Sequence, residues 1–145
     1  LKGTFWGCKA AAAAMAETGG AIINISSMAA KRGSANNAMY CATKFGMNGL
    51  TQSLCKELGE QQIRVNALCP VLVKTEGLME ALRVENAPGA DGPEEFLENF
   101  AVTNAALGRL PTGADVGNMT VFLASPAASC ITGQCINVDC GVFPQ

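Results

Sequence analysis

Short β-rich runs alternate with longer segments of helical period along this chain, and that alternation restricts the fold more than any other feature. Over 3–17, Phe5, Cys8, Ala12, Met15 and Ala16 fall on one helical face of an alanine-rich stretch that Gly19-Gly20 ends. Ala21-Ile22-Ile23-Asn24-Ile25 follows as a short apolar run between glycine and Ser26-Ser27, the pattern of a buried strand. A polar loop over 29–37 leads to a second helix over 40–58, with Met47, Leu50, Leu54 and Leu58 as its apolar face and Gly59 as its stop. Ile63-Arg64-Val65-Asn66-Ala67-Leu68 is a second strand, closed by Pro70, which cannot continue a central ladder. Strands alternating with helices imply an α/β fold built on a parallel sheet.

Residues 74–110 have a different character, with Pro88-Gly89 and Gly92-Pro93 separating two short helical patterns over 78–84 and 93–100. This stretch is expected to act as a lid within a single domain spanning 1–145. Its apolar residues Leu78, Met79, Leu82, Phe96, Leu97 and Phe100 suit either a partly hydrophobic substrate or plain packing of short helices. Thr112 and Asp115 have the spacing of a capping box that opens a helix running through Leu123, and 135–139 is the last strand. In a sheet of only three strands the first lacks a neighbour on one side, so a further segment is expected to cover that edge.

Composition removes several classes of function. A net charge of −2 with scattered basic residues leaves no footprint for nucleic acid or an anionic membrane. No apolar run approaches the roughly 18 residues of a membrane span, and no signal segment opens the chain. Its seven cysteines are odd in number and contain no C-x-x-C pair, which points to a cytoplasmic protein without disulfides. The absence of histidine removes a Ser-His-Asp arrangement and, with no ligand spacing among the cysteines, leaves no metal site.

Tyr40 and Lys44 lie four residues apart on a helix, so both project from one face. A cation beside a tyrosine stabilises the phenolate, which lets the phenol exchange a proton nearer neutral pH. Ser27 follows a buried strand at its carboxyl end, where open α/β sheets place their binding crevices, and its hydroxyl could hold a carbonyl oxygen.

Asn24-Ile25-Ser26-Ser27, Tyr40-Cys41-Ala42-Thr43-Lys44 and Ile63-Arg64-Val65-Asn66-Ala67-Leu68-Cys69-Pro70, taken together, closely resemble the short-chain dehydrogenases/reductases, including 3-oxoacyl-ACP-reductase-like members. Ser27 and Tyr40 differ by thirteen positions, matching that family's serine-to-tyrosine spacing, which selects Ser27 over Ser26. Gly108-Arg109, Phe122-Leu123-Ala124-Ser125 and Ile131-Thr132-Gly133-Gln134 through Val138-Asp139 extend the resemblance along the whole chain. It implies the C-terminal portion of a doubly wound Rossmann fold: its last three strands, their helices and a substrate lid. It also implies a tyrosine acid/base, a lysine that assists it and holds the nicotinamide ribose, and a serine that orients the substrate oxygen. The implied reaction is hydride transfer between NAD or NADP and an alcohol or ketone, with Tyr40, Lys44, Pro70, Val73 and Thr75 meeting the cofactor. The family's corresponding helices, here 3–17 and 40–58, form homo-oligomer contacts, so dimers or tetramers are implied too.

Three departures accompany the resemblance. Val71 and Cys140 stand where the family usually has glycine, so each Cβ could crowd a ligand or oppose a left-handed backbone. The glycine-rich turn, the acidic or basic residue after the second strand and the Asn-Ala-Gly segment all precede Leu1 in the family, as does the asparagine of its catalytic tetrad. Because the chain opens on Leu1 rather than methionine, a preceding segment is expected, and without it NAD(P) binding should be poor. Two other readings compete with the oxidoreductase: a non-catalytic assembly module or inactive fragment of such an enzyme, and a hydrolase using Ser27 activated by Lys44.

Overall fold

The computed structural model describes all of residues 1–145. It contains α1 (Lys2–Met15), β1 (Gly20–Ile25), α2 (Ala38–Glu57), β2 (Ile63–Pro70), α3 (Glu76–Leu82), α4 (Pro93–Asn104), α5 (Gly113–Ala124) and β3 (Cys135–Val138), with single 3₁₀ turns at Met28–Ala30, Gly59–Gln61 and Pro126–Ala128. The three strands are parallel in the order β1-β2-β3, with Ile22 opposite Val65, Ile25 opposite Leu68 and Ala67 opposite Cys135. The expected α/β architecture is therefore present, and β1 is an edge strand as its position in the sequence implied.

Pairing register divides the sheet into two faces. Ile22, Ile63 and Val65 pack under α1 and α2 with Cys8, Met15, Leu50 and Leu54. On the opposite face, Leu68 packs with Leu123 and Ala128, supported by Ile23, Val116, Met119 and Ile136. β2 is buried almost throughout because it is central and covered on both faces, which is why it reads as a near-continuous apolar run.

Several boundaries differ from expectation for physical reasons. β2 continues to Pro70 rather than ending at Leu68. Ala67 N–H bonds to Gln134 on the β3 side, so alternate residues, Pro70 among them, turn their amides toward β1. Ser26 N–H closes that side by bonding to Leu68, and β1 ends there, so the N–H that proline lacks is not missed. α1 stops at Met15, and its buried side consists of Cys8 with half-buried Ala11, Ala12 and Met15, whereas Phe5 and Ala16 are exposed. α2 starts at Ala38, so Tyr40 already lies inside its first turn.

Within 74–110, α3 and α4 bury Met79, Leu82 and Leu97 against one another and against Leu72, Phe96 and Leu110. Their apolar residues are thus largely consumed by packing between the two short helices, while Val84 is exposed. Thr112 and Asp115 form the expected capping box, each side chain meeting the other's backbone N–H. Arg109 adds a 2.9 Å ion pair to Asp115.

Candidate active site

Because all strands are parallel, their carboxyl ends share one edge of the sheet, and the residues with chemistry collect there. Ser27 leaves β1 in an extended conformation and caps the 3₁₀ turn Met28–Ala30, its Oγ accepting from Ala29 N–H at 3.1 Å. That leaves the hydroxyl proton free to be donated elsewhere. Ser26 differs: it is buried, and its Oγ donates to the Lys44 carbonyl at 3.3 Å. The structure therefore separates the two adjacent serines into one inward tether and one available hydroxyl.

Tyr40 is 46% exposed on the first turn of α2. One turn further on, the Lys44 ammonium donates to the carbonyl of Ile25 at 3.0 Å and stands 5.6 Å from the Tyr40 ring centroid. Residues 25 and 26 and Lys44 thus hold each other reciprocally, side chain to backbone in both directions. The ammonium retains two further donors for an acceptor in the crevice. Burial lowers the Lys44 pKa from the ordinary lysine value, with charge on Cys69 acting in the opposite direction. Cys69 sits wholly buried in β2, where burial pushes its thiol pKa up against the lowering influence of an Asn48 hydrogen bond and of Lys31.

Pro70, Val73 and Thr75 lie at the carboxyl end of the neighbouring strand β2 and in the segment leaving it. Thr75 caps α3 by accepting from Leu78 N–H at 3.2 Å, which again leaves its hydroxyl proton unused. The strain expected at Val71 does not occur: the residue is buried and is not among those with positive φ. Cys140 does adopt the left-handed region, at φ +55°, so its Cβ carries a conformational cost that glycine would avoid.

A cavity of about 410 Å³ opens at the opposite edge, among Gly20, Gln62, Arg64, Pro126 and Ser129. There the Arg64 guanidinium donates to the carbonyls of Leu123 and Ser125, which satisfies the carboxyl end of α5. Its chemistry is capping, and it is remote from Ser27, Tyr40 and Lys44. Sequence reasoning set Ser26 aside and missed Asn48 and Cys69 as members of the site's surroundings. Only the four-residue step from Lys44 to Asn48 could have flagged the asparagine as sharing the lysine's face.

A family model described as Enoyl-(Acyl carrier protein) reductase matches residues 1–143. A diacetyl reductase [(S)-acetoin forming] of Staphylococcus aureus is 39% identical over 144 residues, covering 98% of this chain and 55% of that protein. A 3alpha-hydroxysteroid dehydrogenase of Mediterraneibacter gnavus is 40% identical over 132 residues, covering 90% of this chain and 48% of the relative. Among solved structures, a short-chain type dehydrogenase/reductase from Mycobacterium ulcerans superposes with a TM-score of 0.83 at 34% identity, over 98% of this chain and 48% of its own. A 4-hydroxyisoleucine dehydrogenase complexed with NADH gives a TM-score of 0.78 at 27% identity, over 99% of this chain and 56% of its own. The chain spans about half the length of the relatives it matches. With that match running over nearly its whole extent, and with the parallel sheet and its carboxyl-edge site, the chain belongs to the short-chain dehydrogenase/reductase family.

Proposed function

We propose that this chain supplies the proton-transfer and substrate-facing half of an NAD(P)-dependent oxidoreductase that interconverts a secondary alcohol and a ketone. The observation that carries the reading is the tie between the Lys44 ammonium and Ile25, which holds Lys44 and Tyr40 against the strand end from which Ser27 emerges. In this reading the free Ser27 proton hydrogen-bonds the substrate oxygen, and Tyr40 donates or accepts the proton at that same oxygen. Lys44 places positive charge beside the phenol and offers its remaining N–H groups to a ribose. A nicotinamide, when bound, would supply the hydride that the substrate carbon gains in reduction and accept the hydride that it loses in oxidation.

The residues present fit one end of a dinucleotide. Lys44 has spare donors, Tyr40 is accessible, and Val73 and Thr75 border the same edge with a hydroxyl proton unused at Thr75. No glycine-rich strand-to-helix turn occurs in these 145 residues, so they fit the nicotinamide-ribose end and not the pyrophosphate.

Assembly accompanies this function. The outer side of α1 and α2 exposes Phe5, Trp6 and Phe45, each close to half accessible, which favours a homo-oligomer joined through helices 3–17 and 40–58. No helix is long and apolar enough to cross a membrane, and seven unpaired thiols favour the cytoplasm.

Titration of the chain with NADH and NADPH, followed by nicotinamide fluorescence, tests the proposal. Saturable binding that weakens about tenfold or more in Lys44→Ala is the expected result. A well-folded chain that shows no saturable binding overturns the claim that it holds the nicotinamide end by itself.

A further inference from the structure

Asn48 lies one turn beyond Lys44, in the middle of α2, where asparagine is a poor helix former, and its side chain is buried. Its Nδ2 donates to the Ala30 carbonyl at 3.3 Å. Its amide also meets the Cys69 thiol, at 3.7 Å from Nδ2 and 3.8 Å from Oδ1. A thiol proton in the interior goes to the better acceptor, the amide oxygen, and that choice leaves Nδ2 facing Ala30.

Ala30 ends the 3₁₀ turn that Ser27 begins. Its own N–H bonds to the Ser27 carbonyl at 2.9 Å, and Ser27 Oγ is anchored on Ala29 N–H. A 3₁₀ turn of three residues has little stability of its own, and it runs into an exposed stretch over 32–37. Any shift of the Ala30 carbonyl rotates the peptide planes on which the Ser27 hydroxyl rests. An apolar residue of equal size at position 48 would fill the space but leave that buried carbonyl unpaired.

We propose that Asn48 is the positioning residue for Ser27, linking the central strand through Cys69 to the turn that aims the serine hydroxyl. The catalytic meaning of this link rests on the oxidoreductase reading; the link itself does not.

Amide hydrogen exchange and the Ser27 carbon-13 Cβ shift, recorded by NMR on the full chain without cofactor or substrate, test it. In Asn48→Leu, exchange at Ala30 and Lys31 should quicken about tenfold and the Ser27 signal should move, while Val65 and Ala67 in β2 keep their protection. Cys69→Ala, which leaves the amide in place but frees its orientation, should move the same residues by about threefold. Unchanged exchange at Ala30 and Lys31, or acceleration spread evenly over β2, overturns the proposal. If Asn48→Leu does not fold, Cys69→Ala decides by the same criterion. A failed nicotinamide titration overturns only the claim that the chain holds the nicotinamide end by itself and leaves the link standing, because the exchange experiment contains no nucleotide.

Discussion

Replacing Thr51 with valine should destabilise the chain by about 2 kcal/mol although it removes almost no volume. Thr51 is fully buried on the sheet-facing side of α2, accepts from Asn24 Nδ2 at 2.9 Å and donates to the Met47 carbonyl at 2.9 Å. Valine has nearly the same shape and a similar helix propensity, so neither a cavity nor the helix backbone contributes much. What changes is that the buried Asn24 amide loses its acceptor, at about 1–3 kcal/mol for an unsatisfied polar group. Urea unfolding followed by far-UV circular dichroism should give a lower midpoint with an unchanged slope. In a thermal melt the same loss lowers Tm by about 4–8 °C. The double variant Asn24→Leu with Thr51→Val should recover at least half of the loss, since both polar partners are then gone. A single-variant cost below about 0.5 kcal/mol, or a double variant that shows no recovery, refutes the claim that the pair's mutual satisfaction is what matters.

Tyr40→Phe should abolish alcohol or ketone turnover wherever the unsubstituted chain supports it, and should leave nicotinamide binding within about twofold, because only the phenolic proton is lost. The lowered Lys44 pKa has a fixed sign: the folded state binds fewer protons than the unfolded one between that lowered value and 10.5, so stability rises with pH across this window. Lys44→Met should lose that alkaline rise, which urea titrations at a series of pH values from 7 upward would detect. Cys140→Gly should raise stability by about 1 kcal/mol by relieving the left-handed backbone at φ +55°, read as an increase in urea midpoint.

The order of elements was legible from residue types alone, and the candidate site from the resemblance of three motifs to a known family. Ile22-Ile23 and Val65 through Leu68 announce buried parallel strands, and the Thr112 and Asp115 pair announces a helix start, because these signals arise from local backbone geometry and side-chain period. Ser27, Tyr40 and Lys44 were singled out by their match to the family's motifs, and the sheet brings all three candidates to one edge because a parallel strand delivers its next loop to the same side.

Period gave a less faithful account of α2. Met47 is buried as its place on the apolar stripe suggests, yet Leu50, Leu54 and Leu58 are only half covered, and the polar Asn48 and Thr51 are among the helix's most buried residues. A hydropathy pattern counts Asn and Thr as outward-facing, since it cannot contain their partners. Those partners, Asn24, Ala30 and Cys69, come from 18 to 27 positions away, on β1, its following turn and β2. Residue type and period specified which segments are helices and strands, and the family resemblance singled out Ser27, Tyr40 and Lys44 as the candidates for chemistry. Which polar side chains are buried, that Ser26 faces inward while Ser27 keeps a free proton, and that Lys44 is tied to Ile25 were settled in the folded chain, because each depends on a hydrogen-bond partner that folding alone brings within reach.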